Sequence, residues 1–317
     1  MTITSNFHAR STALEVVRGH DLSGHYALVT GATSGIGVET VRALVSAGAD
    51  VTLAVRNVAQ GKVVANELVG EYPNATVHVE ALDLSSLASV RRAAERYLAR
   101  DVPLHILINN AAVMATPFEH TSDGFELQFG TNHLGHFALA TGLVGALQQS
   151  GGARVVALSS IGHRRSDINF DDPNFAARSY ERWAAYGQSK TANALFAVAM
   201  TRHFASDAIV ANAVMPGGIM TGLQKHLSSD EQRQMGWIDD AGTANPAFKN
   251  TEQGAATSIW AAVGSELDGV GGRYLENCAE AQVTDPAAPM VGYEPYALDP
   301  VSAERLWELS SELVASH

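Results

Sequence analysis

Tyr26-Ala27-Leu28-Val29-Thr30-Gly31-Ala32-Thr33-Ser34-Gly35-Ile36-Gly37 decides how this chain folds. A short apolar run ends in a glycine-rich turn, and a helical pattern over 37–47 follows. Strand, turn and helix in that order are the context of a dinucleotide-binding loop. Gly31, Gly35 and Gly37 free the backbone to approach a pyrophosphate, with Thr33, Ser34 and Ile36 between them, and the helix start offers unpaired N–H groups and a positive dipole end. Taken alone, the segment is also compatible with a purely structural turn. Its glycine spacing and the lack of a Gly-Lys-Ser/Thr ending rule out a phosphate-cradling ATPase loop.

Outward from this stretch, short β-branched runs alternate with helical patterns. Strands are expected at 26–30, 51–55, 77–81, 104–108, 154–158 and 209–214, with a further one at 272–275. Helices are expected at 37–47, 59–72, 87–100, 125–148, 186–204 and 252–263. Repeated β/α units with apolar strands imply an α/β fold of the Rossmann type, a doubly wound parallel sheet covered by helices on both faces. No linker divides the chain, so 21–317 reads as one domain behind an N-terminal extension, 1–20. The stretch 217–250 lacks clean periodicity and is too long for a simple connection, which makes it a substrate-covering lid or a structural excursion.

Composition narrows the functional classes. With 21 Lys and Arg against 33 Asp and Glu, the net charge of −12 repels nucleic acid and anionic lipid heads. No apolar run is long enough to span a bilayer, and the first residues lack the apolar core of a secretory signal. A soluble, cytoplasmic protein is expected. Cys278 is the only cysteine, which excludes an intrachain disulfide and reads as a buried small side chain.

The end of the second strand carries Val55-Arg56 where an NAD enzyme would place an acid for the ribose hydroxyls. A guanidinium offers charge and a fork of donors to a 2′-phosphate, so NADP is expected rather than NAD. A solvated surface arginine is the plainer alternative. In Leu82-Asp83-Leu84, Asp83 is placed to accept from an adenine amino group, to cap the next helix, or both.

Four motifs in order, Thr30 to Gly37, Asn109-Asn110-Ala111-Ala112, Ser159-Ser160 and Tyr186-Gly187-Gln188-Ser189-Lys190, resemble the short-chain dehydrogenase/reductase family over about 21–274. Pro216-Gly217 with Thr221 resembles that family's turn beside the nicotinamide. Thr131 to Phe137 and Val55-Arg56-Asn57 are similar to its retinol dehydrogenase-like and WW-domain oxidoreductase-like branch. Three places depart from the pattern: Ala112 stands for a usual glycine, His105 for a common aspartate, and 164–184 is an added acidic and aromatic segment.

Reducing a ketone needs hydride on carbon and a proton on oxygen, and an unassisted tyrosine is a poor acid or base at neutral pH. Lys190, four residues after Tyr186 on a helix, shares its face, so its ammonium is expected to pull the phenol's pKa down. The resemblance gives Lys190 a second task on the nicotinamide ribose, assigns Ser160 to the substrate oxygen, and has Asn132 anchor a water that passes protons to Lys190. It places Asn110 and Ala111 beside the adenosine ribose. The strand register favours Ser160 over Ser159 as the catalytic serine. His133, His136 and His163 have no acidic or cysteine cluster around them and read as structural, so no metal is expected.

These residues point to an NADP(H)-dependent oxidoreductase acting on a hydrophobic ketone, aldehyde or alcohol. An epimerase or lyase using the same pair, and a non-catalytic dinucleotide sensor, are the other classes. The pocket is expected from Met114, Phe118, the 164–184 segment and Met220, Leu223, Met235, Trp237 and Phe248. Homodimers or homotetramers are what the resemblance implies.

Overall fold

The central strands, built largely of Val, Ile, Leu and Ala, need cover on both faces, unlike the edge strand at 77–81, which alternates with His78 and Glu80. The computed structural model, which describes residues 2–288 and 290–317, gives them that cover. Strands β1 (Tyr26–Thr30), β2 (Asp50–Val55), β3 (Val77–Ala81), β4 (Ile106–Asn109), β5 (Arg154–Leu158), β6 (Val210–Met215), β7 (Tyr274–Glu276) and β8 (Ala279–Glu280) form one sheet. Their order is β3-β2-β1-β4-β5-β6-β7-β8. All neighbours pair parallel except β8, which turns back antiparallel on β7.

Helices Leu87–Leu98, Gly135–Gly142, Arg182–His203 and Pro300–Ala315 pack one face of the sheet. Helices Ala13–Val17, Ile36–Ser46, Val58–Glu71 and Thr251–Val263 pack the other. The chain winds outward in both directions from the β1/β4 boundary. A crevice therefore opens at the carboxyl ends of those two strands, where such sheets take their ligands.

The helix expected over 125–148 is not continuous. It divides into Leu127–Phe129, a π-helical turn at Gly130–Leu134, Gly135–Gly142 and Val144–Gln149. The Gly135 amide bonds to Gly130 O, five residues back. Close approach accounts for both glycines: a Cβ on Gly130 would lie 2.4 Å from Thr121 Cγ2, and one on Gly135 would lie 2.4 Å from Leu84 O. One additional residue in a turn leaves hydrophobic periodicity almost unchanged, so the pattern does not reveal it. The long helix expected to start at 186 starts at Arg182, because the Glu181 carboxylate accepts from Trp183 N and Ala184 N at 3.0 and 2.7 Å.

Two terminal elements went unread. Pro300–Ala315 is capped by Asp299 and lays Trp307 against Phe137 and His203, at ring separations of 4.9 and 4.4 Å. The N-terminal extension is ordered as well. Thr12 and Glu15 form a capping box for Ala13–Val17, whose Ala13, Val16 and Val17 are buried. Ahead of it, Ile3 N donates to Glu280 Oε2 at 3.0 Å, Ser5 Oγ donates to Cys278 O at 2.7 Å, and Thr4 bridges Ala279.

The 217–250 stretch contains a 3-10 turn at Gly222–His226 and a short helix at Ser229–Gln234. It returns to its own start, with Lys249 N donating to Gly218 O at 2.8 Å. The N-terminal extension clamps that return: Arg10 donates to Phe248 O at 2.7 Å and to Pro246 O at 2.9 Å. Among the described residues no helix is long and apolar enough to cross a membrane. Arg10→Ala should free the 246–248 carbonyls at a cost of about 1 kcal/mol, a small sum because the guanidinium is exposed. Hydrogen–deuterium exchange should then quicken over 244–250 and stay unchanged in β1 and β4.

Candidate active site

A cavity of about 940 Å³ fills the crevice at the carboxyl ends of the strands. Gly31, Thr33, Ser34, Gly35, Ile36, Gly37, Arg56, Asp83, Leu84, Asn110, Ala111, Pro216, Gly217 and Thr221 all line it, together with Ser160, Tyr186 and Lys190. Asn132 does not.

The glycine turn fits a dinucleotide. A Cβ on Gly31 would meet Ala111 Cβ at 2.7 Å, one on Gly37 would meet Asn110 Nδ2 at 2.8 Å, and Gly35 has φ +61°. The Ile36–Ser46 helix opens at Gly35 with no side-chain cap, which leaves its first N–H groups to the cavity. Arg56 is exposed at the end of β2, with neither an ion pair nor a hydrogen bond of its guanidinium among the described residues. Asp83 does not cap the following helix. Ser86 does, while Asp83 Oδ1 accepts from Ser85 N and Oγ at 2.9 and 2.6 Å.

Beneath the turn, Thr30 Oγ1 accepts from Asn110 N at 2.9 Å and Ala111 N at 3.0 Å. Its own proton goes to His136 Nε2 at 2.8 Å, since the other ring nitrogen, Nδ1, must donate to Asn132 O at 2.9 Å. Asn110 Nδ2 also donates to Thr30 O at 2.8 Å. One hydroxyl thus ties the turn to the 109–112 loop and to the π-helical turn.

Across the cavity, the loop from Ser160 to His163 is fixed by its main chain. Ser160 O accepts from His163 Nδ1 at 2.7 Å and from Tyr274 Oη at 3.0 Å, and Ser160 Oγ accepts from Gly162 N at 3.0 Å. His163 Nε2 takes Glu294 N at 3.1 Å, which fixes its tautomer. Ser159, buried beside Ser160 on the cavity wall, has its hydroxyl engaged with the main chain, donating to Lys190 O at 2.8 Å. The Tyr186 ring lies against Gly162, where a Cβ would come within 2.7 Å of Cε1.

The electrostatics differ from the sequence expectation. Burial pushes the Tyr186 phenol up to about 12, opposed only by its hydrogen bond with Ser160. Lys190 Nζ donates to Leu158 O at 3.0 Å and stands 5.7 Å from the Tyr186 ring centroid. Burial lowers Lys190 to about 7.

Asn132 sits in the π-helical turn, fully buried rather than facing water. Its Oδ1 accepts from Val113 N at 2.8 Å, and its Nδ2 donates to Val113 O and Ser189 Oγ, both at 2.9 Å. These bonds fix the Asn132 side chain between the 109–113 loop and the Arg182–His203 helix. The three histidines are partnered by protein: His136 and His163 as above, and His133 Nε2 by Ser310 Oγ at 2.7 Å. Burial lowers them to about 4, 4 and 3 respectively. His136 and His163 are structural, as expected, while the supporting roles of the Thr30 hydroxyl and of Tyr274 have no signal in the sequence. Only the bond between Asn132 and His136 was signalled, by their spacing of four residues on a helix.

The far half of the cavity is apolar. Met114, Ile161, Trp183, Leu223, Met235, Trp237, Phe248 and Met290 line it, with Arg164, Arg165 and Glu294 at its edge. Met220 does not reach it, and Phe118 is instead stacked 4.8 Å from Tyr180, 45 % exposed. A row of rings leads away from Tyr186: Trp183 at 6.3 Å, then Trp237 at 6.0 Å, then Phe248 at 6.1 Å.

Comparison with known proteins agrees with this geometry. The family model of the short chain dehydrogenases matches residues 25–232. The chain is 46 % identical over 300 residues to a probable oxidoreductase of Streptomyces lividans, covering 93 % of this chain and 99 % of the relative. It is 39 % identical to the WW domain-containing oxidoreductase of Danio rerio, covering 97 % of this chain and 73 % of that one. The crystal structure of an uncharacterized protein from Mycobacterium paratuberculosis is 32 % identical, with a TM-score of 0.72 and coverage of 96 % and 98 %. With its glycine turn, its Ser160, Tyr186 and Lys190 and its strand order all in one crevice, the chain belongs to the short-chain dehydrogenase/reductase family of oxidoreductases.

Proposed function

We propose that this chain is an NADP(H)-dependent oxidoreductase that interconverts a hydrophobic ketone or aldehyde and its alcohol. The observation that carries the reading is the meeting of Tyr186, Ser160 and Lys190 in one cavity with the glycine turn and the apolar row. When bound, the dinucleotide supplies or takes the hydride at the substrate carbon. The remaining work falls to side chains. Tyr186 Oη gives its proton to the substrate oxygen in reduction and takes it back in oxidation. Ser160 Oγ donates a hydrogen bond to the same oxygen and steadies the charge that forms there.

Held up near 12 by burial, the phenol keeps its proton at neutral pH, and this protonated form is the one that gives its proton to the substrate oxygen in reduction. Lys190 at about 7 holds or releases a proton near neutrality beside it. Arg56 supports NADP: its unspent guanidinium at the end of β2 suits a 2′-phosphate. The 217–250 stretch acts as the lid of the substrate half, since Leu223, Met235, Trp237 and Phe248 all come from it.

Tyr186→Phe removes only the proton-transfer group. It should lower kcat with NADPH and an aryl ketone by about 10²–10⁴-fold while NADPH still binds, and retained turnover would refute the assignment. Lys190→Met tests the electrostatics. The lysine's pKa is about 7 in the folded protein against 10.5 ordinarily, so between those values the unfolded chain keeps a proton the folded one has lost. The buried ammonium therefore costs most at pH 7 and below, and the cost fades as pH rises toward 10.5. The variant should lose turnover yet raise Tm, with the gain largest at pH 6–7 and shrinking by pH 10. A pH-independent Tm difference would contradict this.

A further inference from the structure

The substrate half of the cavity holds a cation its walls do not balance. Arg164 is paired with Glu294, Nε to Oε1 at 3.3 Å, and Glu294 also accepts from Thr284 Oγ1 at 3.1 Å. The next residue, Arg165, is exposed on the cavity lining, and its guanidinium makes no ion pair and no hydrogen bond among the described residues. It is nonetheless positioned. Its Cβ would stand 3.1 Å from a Cβ on Gly187, the residue after Tyr186, and its guanidinium carbon lies 5.3 Å from the Trp183 ring centroid.

Contact with an indole face steadies a guanidinium without using its in-plane N–H donors. Those donors suit a planar carboxylate in a two-bond fork. The same Trp183 begins the row of rings leading out from Tyr186. Arg165 stands at the first ring of that row, so a compound whose carbonyl stays at Tyr186 would bring a carboxylate a ring's length away to Arg165, with its apolar body against Trp183 and Trp237. In a chain of net charge −12, an unbalanced cation at this place also draws an anionic substrate to a mouth that would otherwise repel it.

We propose that Arg165 holds the carboxylate of an apolar oxo acid, so that the preferred substrate has a hydrophobic body, a reducible carbonyl at one end and a carboxylate at the other. This names the substrate class for the activity proposed above and rests on that reading. Lys225 also lines the cavity, but it follows Thr221 by one turn, and Thr221 Cγ2 lies 3.2 Å from a Cβ placed on Gly35. That puts Lys225 toward the dinucleotide half.

The test uses the full chain with NADPH and a matched pair, an aryl-oxoalkanoic acid and its methyl ester. The acid should exceed the ester by about tenfold or more in kcat/KM, through KM, with the advantage fading as salt rises. Arg165→Ala should bring the ratio near one, Arg165→Lys should restore part of it, and Lys225→Ala should keep it. A second readout needs no turnover: quenching of tryptophan fluorescence by a non-reducible arylalkanoic acid and by its amide. Tighter binding of the acid, lost in Arg165→Ala, supports the site even if no carbonyl is reduced, in which case the activity proposed above is what fails. Equal binding of acid and amide, a ratio unmoved by Arg165→Ala, or a ratio lost in Lys225→Ala overturns the proposal.

Discussion

The hydroxyl of Thr30 is the constraint on which the site depends. It ends β1, is fully buried, and spends both lone pairs on Asn110 N and Ala111 N and its proton on His136. His136 passes the constraint to Asn132 O, so the dinucleotide turn, the 109–112 loop and the π-helical turn share one set of hydrogen bonds. Each bond has a single possible sense, because two donors are main-chain amides and the last acceptor is a carbonyl. Leaving a buried member unpaired costs about 1–3 kcal/mol, which keeps the two halves of the crevice in register.

A second set of bonds does the same for the chemistry. Ser160 O is held by His163 and Tyr274, His163 is held in turn by Glu294 N, and the Tyr186 ring rests on Gly162. The histidines serve as neutral struts, each with lowered pKa through burial. The same burial acts on the two reactive groups in opposite directions, up for the phenol and down for the ammonium, since it opposes charge in either form. The fold thus holds a phenol and an amine side by side, each with its charged form disfavoured.

Strand and helix rhythm, the glycine turn, and the residues later found lining one cavity were legible because each lies in a local pattern of a few residues. Asn132 was legible as a residue and not as a geometry, since the π-helical turn that buries it depends on Gly130 and Gly135 meeting Thr121 and Leu84 from distant segments. The spacing of Tyr186 and Lys190 gives a shared helix face, whereas the burial that raises the phenol and lowers the ammonium comes from the fold around them. Phe118 and Met220 looked like pocket residues by type alone. Met290 and Glu294 reach the cavity through the fold of the C-terminal segment, and Pro300–Ala315 was missed although Asp299 and Pro300 gave its cap.

The central claim is hydride transfer to an apolar carbonyl with NADPH as donor, and tracing a deuterium tests it most directly. The protein is mixed with an aryl ketone, NADPH deuterated at the transferring position of its nicotinamide ring, and an equal concentration of unlabelled NADH. Mass spectrometry of the alcohol should find one deuterium on the carbinol carbon in most of the product. Alcohol carrying mainly hydrogen, or no alcohol at all, would contradict the account.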